Sequence, residues 1–150
     1  MRLMYLPAAQ EDVQRIYILS KQLIDDYEDV ESIPYEKVLA WVKKKIAENI
    51  QDYRRIVAEG QTAGYFHLCR NEDGRLELDD FYVLAPYRGN GIGTEVLNEL
   101  LANADEDVML YVFEKNTGAI RLYERMGFET EKSVGKTRRI MVKIAQNQWK

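Results

Sequence analysis

The residues whose types and spacing point most directly to chemistry are Arg88-Gly89-Asn90-Gly91-Ile92-Gly93. They lie between an apolar run, Phe81-Tyr82-Val83-Leu84, and a run of helical character from Thr94 to Ala104. A glycine-rich turn that leaves a strand and opens a helix aims several backbone N–H groups at one point. The helix dipole adds partial positive charge there, so a phosphate or pyrophosphate binds readily. The alternative is a turn that does no more than close a strand–helix corner.

Three nucleotide-type readings compete for this turn. A P-loop carries Lys and then Ser or Thr directly after its last glycine. Here Thr94-Glu95 follows Gly93, and that reading fails. A dinucleotide fingerprint needs G-x-G-x-x-G. This chain has glycines at 89, 91 and 93 and Val at 96, and the turn comes late, after three expected strands in hairpin order. The third reading takes Arg-x-x-Gly-x-Gly as a loop for the pyrophosphate of an acyl-CoA. Arg88 and the N–H groups of Gly89, Asn90, Gly91, Ile92, Gly93 and Thr94 would hold the two phosphates. Gly91 and Gly93 would let the backbone come close.

The elements that must position this turn follow from apolar periodicity. Arg2 to Leu6 reads as a strand, and Val13, Ile16, Tyr17, Leu19, Leu23 and Ile24 recur at helical spacing. After an acidic loop, Pro34 stands near the start of a second helix that carries Val38, Trp41, Val42 and Ile46. Lys43, Lys44 and Lys45 lie in its last turns, where cations suit the dipole. The period then changes. Tyr53 to Glu59, Thr62 to Arg70 and Leu76 to Leu84 read as strands, separated by turns at Gly60-Gln61 and Asp73-Gly74. The third helix places Ile92, Val96, Leu97, Leu100 and Leu101 on one face. Val108 to Phe113 is apolar without alternation, which suits a strand covered on both faces. Asn116 to Met126 reads as a short helix stopped by Gly127. Ile140, Val142 and Ile144 alternate in a last strand. The order β-α-α-β-β-β-α-β-α-β-β predicts an α/β (α+β) fold: a mixed, mostly antiparallel sheet of about seven strands with four helices packed on it.

Length and composition fit one domain over residues 1–150, with no repeat or linker to divide it. A net charge of −4 argues against nucleic-acid binding through clustered positive charge and leaves cationic partners open. No run reaches the ~18 apolar residues of a membrane helix, and the start of the chain shows no signal peptide. With one cysteine, Cys69, no internal disulfide forms, and a reducing, cytoplasmic setting is the natural expectation. One His and one Cys make no metal-ligand cluster, so no metal is expected. Trp149 and the tail Ala145 to Lys150 leave two readings open, a contact in a homodimer or simple fraying.

Two segments together carry a family resemblance. Phe81 to Leu101 resembles the coenzyme-binding segment of the GNAT N-acetyltransferases. The run Asn116-Thr117-Gly118-Ala119-Ile120-Arg121-Leu122-Tyr123-Glu124-Arg125-Met126-Gly127-Phe128 resembles that family's second motif. Two motifs in the right order are far more specific than either alone, and the element order fits across nearly the full length. The resemblance implies transfer of an acetyl group from acetyl-CoA to a primary amine, on a sheet whose parallel fourth and fifth strands splay apart. It also implies that Phe81, Tyr82 and Val83 line the coenzyme, with the Val83 N–H facing the acyl carbonyl. A donor there would stabilise the oxyanion. Tyr123 matches the usual general acid, a phenol that is protonated at neutral pH and can protonate the departing thiolate. As one of ten tyrosines it could instead merely pack on a helix face. Asn116 matches a residue that bonds the coenzyme near its pantetheine arm and is equally suited to cap the following helix. Ala119 is small where a helix passes the coenzyme. A second functional class stays open, a non-catalytic acyl-CoA sensor or regulatory module.

The base is less well marked. By period two, Glu77, Asp79, Phe81 and Val83 share one face of the fourth strand, barring a bulge. Glu77 lies at the height where some family members carry a base, and Asp79 is its neighbour. Either carboxylate could take the amine proton through water, or both could sit on a solvated strand end. His67 shares a face with Tyr65 and Cys69 and is expected to be a partly buried structural histidine. Asp25, Asp26, Glu28, Asp29 and Glu31 crowd the stretch between the first two helices, a region that borders the acceptor groove in the family. They form either a solvated loop or a negative rim that concentrates a cationic small-molecule or peptide amine. Tyr27 and Tyr35 would add a cation-binding face.

Overall fold

The computed structural model of the chain describes residues 2–145, so Trp149 lies outside the described residues. Seven strands form one sheet in the order β1-β2-β3-β4-β5-β7-β6. In chain order the elements are β1 (Leu3–Pro7), α1 (Val13–Tyr27), α2 (Tyr35–Glu48), β2 (Tyr53–Ala58), β3 (Gln61–Arg70) and β4 (Leu76–Val83). Then come α3 (Ile92–Ala102), β5 (Val108–Phe113), α4 (Thr117–Arg125), β6 (Glu129–Val134) and β7 (Arg138–Lys143). This is the mixed sheet with four helices that the periodicity predicts. The last strand stops at Lys143, one residue before Ile144, which is 62% exposed. None of the described helices is long and apolar enough to cross a membrane.

The helices cover the sheet from both sides. On one side α3 and α4 bury Ile92, Val96, Leu97, Ile120 and Tyr123 against Phe66, Leu78, Val108, Leu110 and Met141. On the other, Val13, Ile16, Ile24, Leu39, Val42 and Ile46 of α1 and α2 pack on Tyr53, Tyr65 and Tyr82. Each helix thus presents the apolar stripe that its 3.6-residue period set.

The feature that positions the site is the meeting of β4 and β5. They run parallel, but only Leu76↔Val108 and Glu77↔Met109 pair before the strands part. Beyond that point the gap opens beside Phe81 to Val83. The far side of β5 is correspondingly less covered than its apolar run implies. Met109 packs with Ile140 and Val142, whereas Tyr111 is 41% exposed.

The β3–β4 ladder carries a bulge. His67 pairs with Asp80 and Leu68 with Leu78, so Asp79 is an extra residue in β4. This corrects the strict alternation expected for β4. Phe81 and Val83 pack into the core under α3 and α4, while Asp79, Asp80 and Tyr82 turn to the α1/α2 face. Below the bulge, on the stretch that still pairs with β5, Glu77 takes its hydrogen bond from Asn71.

Gly64 fixes how closely β3 and β4 approach. A Cβ there would lie 2.1 Å from the Tyr82 carbonyl oxygen, a backbone atom that cannot step aside. Gly64→Ala is therefore expected to destabilise the fold by about 3 kcal/mol, near the upper end for overpacking. Urea unfolding of the variant beside the parent measures this, and an unchanged midpoint would refute it.

Candidate active site

A single cleft of about 1130 Å³ runs from the N-terminal ends of α3 and α4, past the β4–β5 gap, to the α1/α2 face. Gly91 is the N-cap of α3 in the left-handed region, at φ 79°, and this conformation turns the chain from β4 into the helix. The first N–H groups of a helix have no partner inside it. Here they belong to Ile92, Gly93 and Thr94, all of which line the cleft together with Arg88, Gly89 and Gly91. Asn90, expected in the same set, does not line it.

At the gap, the Leu84 N–H donates to the Ala63 carbonyl of β3 at 2.7 Å. Backbone groups alternate along a strand, so the N–H and C=O of Val83, and those of Phe81, point the other way, towards the gap. The Val83 carbonyl accepts from Arg88 Nε at 2.9 Å. That bond uses one of five guanidinium donors and ties the glycine turn to the strand end. Phe81, Tyr82 and Val83 line the cleft on this side, and Asn116, Ala119 and Tyr123 of the α4 segment line it opposite. The Asn116 side chain caps α4 by accepting from the Ala119 N–H at 3.3 Å. Tyr123 is buried edge-to-face against Phe128, ring centroids 5.5 Å apart. Burial first, and the charge of Asp80 second, hold its phenol well above the ordinary tyrosine range, so it keeps its proton.

The geometry has a clear counterpart among known proteins. The profile of the Acetyltransferase (GNAT) family matches residues 15–128. The chain belongs to the GNAT family. A spermine/spermidine N(1)-acetyltransferase of Bacillus subtilis is 39% identical over 64 residues, 39% of this chain and 42% of that protein. The matched stretches span 42% to 60% of the length of that protein and of mycobacterial relatives. Among solved structures, an N-acetyltransferase from Staphylococcus aureus Mu50 superimposes with a TM-score of 0.72 at 20% identity, covering 93% of this chain and 99% of that one. The PaiA N-acetyltransferase from Thermoplasma acidophilum, solved in complex with coenzyme A, gives 0.69 at 20% identity over 96% and 99%.

In this GNAT protein the floor of the cleft beside β4 is acidic, and most of its charge is already committed. Lys45 Nζ donates to Asp79 Oδ2 at 2.7 Å and to Asp80 Oδ2 at 3.0 Å. His67 Nδ1 lies 2.8 Å from Asp79 Oδ2, and Tyr53 and Tyr82 both donate to Asp80. Burial works to raise the Asp79 carboxyl, but the His67 hydrogen bond and the Lys45 ammonium outweigh it and hold it low. Asp80 goes the other way, because burial dominates there despite Lys45. Glu77 makes no ion pair among the described residues and accepts from Asn71 Nδ2 at 3.2 Å. Burial pushes its carboxyl above the usual range. Cys69 pairs with Glu77 across the β3–β4 ladder. Burial and the charges of Asp79 and Glu77 push its thiol up to about 11, which disfavours the thiolate at neutral pH.

The acidic run between α1 and α2 is arranged differently from a continuous rim. Only Asp26 of the five acids lines the cleft. Asp25 is bound to Lys21 at 2.7 Å and to the Tyr35 hydroxyl at 2.5 Å. Asp29 accepts from Ser32, and Glu28 from the Asp29 N–H. Tyr27 lines the cleft, tilted against Phe113, whereas Tyr35 does not. The cleft wall there instead includes Leu23, Phe113, Tyr111 and Trp41, the last 64% exposed.

Sequence reasoning missed Lys45 and Asp80. A signal for Lys45 existed, since it falls between Val42 and Ile46, at the edge of the buried stripe of α2. A lysine there must either leave the stripe or find carboxylates. Nothing local marked Asp80, whose direction depends on the bulge.

Proposed function

We propose that this chain transfers the acetyl group of acetyl-CoA, taken as substrate, to a primary amine on a cationic small molecule or peptide. The observation that carries the reading is the continuous cleft joining an anion-binding helix N-terminus, a parted strand edge and an acidic floor. The N–H groups of Gly89, Gly91, Ile92, Gly93 and Thr94 and the remaining Arg88 donors suit the pyrophosphate. The Val83 N–H suits the thioester oxygen, where a preorganised donor lowers the barrier. Glu77 takes the ammonium proton through water, and the neutral nitrogen attacks the carbonyl carbon. The C–N bond forms and the nitrogen gives up its second proton to solvent; the C–S bond then breaks, Tyr123 gives its proton to the thiolate, and the phenolate regains one from solvent. Asp79, committed to Lys45 and His67, positions rather than accepts. The aliphatic and aromatic wall beside an acidic floor suits an amine on an apolar chain, in keeping with the polyamine named for the Bacillus relative.

Calorimetric titration with acetyl-CoA, with NAD and ATP as controls, tests the donor side. Binding of acetyl-CoA alone is expected, and binding of NAD instead would overturn the reading. Thiol release in a screen led by spermidine and basic peptides tests the reaction. Tight acetyl-CoA binding with no release for any amine would turn the reading to a sensor.

Glu77 gives this mechanism a pH signature. A raised carboxyl loses its base form at a higher pH than an ordinary carboxylate, so the acid limb of kcat/KM is expected above the usual carboxylate range. Glu77→Gln should lower turnover about 10-fold, modestly because solvent can substitute for a base acting through water, and should flatten that limb. An unchanged profile would exclude Glu77 as the base.

A further inference from the structure

The floor of the cleft already holds an alkylammonium group. Lys45 reaches it from the last turn of α2, with its side chain 18% exposed and its Nζ shared between Asp79 and Asp80. The same Nζ lies 5.8 Å from the centroid of the Tyr53 ring. Two carboxylates and an aromatic ring are the groups with which proteins hold an organic ammonium. These groups are fixed from behind. His67 bonds Asp79 and stacks on Tyr53 at 4.3 Å, while Tyr53 and Tyr82 orient Asp80. Nε2 of His67 is buried without a partner among the described residues, so the imidazole is held by Asp79 and the stack alone. The cation position is therefore preorganised by β2, β3 and β4, and not improvised by a flexible lysine.

We propose that Lys45 is a resident ammonium that fills the inner cation position of the acceptor cleft and so limits how many positive charges an acceptor can lodge there. The proposal rests on the reading that this cleft receives an amine. With Lys45 in place, Glu77 is the acid left on the floor for an incoming cation, and the other acids of the cleft without an ion pair among the described residues, Asp26, Glu72 and Asp73, are exposed. An acceptor then brings one ammonium to the floor and keeps further charges outside. Removing the lysine beyond Cβ would leave a slot shaped for a propylammonium and facing two carboxylates. A polyamine, whose ammonium groups are joined by short methylene chains, could place a second charge in that slot. A monoamine has no second charge to place.

Lys45→Ala tests this in two ways. Thermal unfolding is expected to show that n-propylammonium raises the Tm of the variant and leaves the parent unchanged, with tetramethylammonium, too bulky for the slot, without effect. Should the variant not fold alone, its yield on refolding with n-propylammonium, against the yield without it, gives the same answer. Calorimetry is expected to show spermidine binding at least ~10-fold tighter to the variant than to the parent, with tert-butylamine, too bulky for the slot, changing much less. The absence of any n-propylammonium effect, or an unchanged ratio of spermidine to tert-butylamine affinity, would overturn the proposal. Both readouts are independent of turnover. A failure of the acyltransferase reading would appear elsewhere, as a parent protein that neither binds acetyl-CoA nor releases thiol.

Discussion

Tyr123→Phe is expected to lower turnover about 1000-fold while leaving acetyl-CoA affinity unchanged. The substitution removes one oxygen and keeps the ring that packs edge-to-face on Phe128, so folding should be nearly unaffected. General acid catalysis is worth roughly 10²–10⁴ in rate, and the expected loss is taken at the middle of that range. Burial keeps this phenol protonated through the whole physiological range. The activity of the parent should therefore show no basic limb from Tyr123 near neutrality. Equal losses in kcat and kcat/KM would mark an interaction made only in the transition state. Full activity in the variant would remove Tyr123 as the acid and pass the proton to solvent.

Gly91→Asp is the second large effect, and it falls on binding rather than turnover. Gly91 sits at φ 79°, and a Cβ added there meets nothing within 4 Å. The folding cost is then confined to backbone strain, ~1–2 kcal/mol, and Asp bears the left-handed region better than most residues. The carboxylate, however, would stand at the α3 N-terminus where the pyrophosphate is proposed to bind. Acetyl-CoA affinity should fall at least ~100-fold, about 2.7 kcal/mol. Gly91→Asn has nearly the same shape and backbone tolerance without the charge, and should lose much less. Equal losses for Asp and Asn would make the effect steric. Unchanged affinity in both would place the coenzyme elsewhere.

What was legible in the sequence was local. The apolar stripes of α1 to α4, the hairpin turns at Gly60 and Gly74, and the glycine turn before α3 each reflect interactions within a few residues. Such patterns give element type and order directly, and the four helices and every strand but β6, whose Glu129–Val134 run is exposed nearly throughout, followed from them. The glycine turn was legible for the same reason, since positive φ at Gly89 and Gly91 is a local demand on the backbone. Element ends were less well marked. Ile144 continues an alternating pattern, yet lies beyond the end of β7.

The acidic side of the cleft was not legible, because its features depend on pairing between distant segments. The β4 bulge is a shift in register against β3, and no period within β4 announces it. It nevertheless separates Phe81 and Val83, which pack under α3 and α4, from the acids turned to the other face. Lys45 and Asp79 stand 34 residues apart and meet only because α2 packs over β4. By composition the acidic run between α1 and α2 suited either a solvated loop or a negative rim; Lys21, Tyr35 and Ser32 draw charges into local bonds, and of the five acids only Asp26 lines the cleft. Thus the sequence by itself determined the elements, their order and the glycine turn that opens α3, all set by short-range apolar periodicity and backbone freedom. The tertiary structure alone decided where β4 and β5 part, which way each β4 acid points, and that Lys45 occupies the floor. Those outcomes depend on ladder register and on burial of charge across the sheet, where the energy lies between residues that no sequence window holds together.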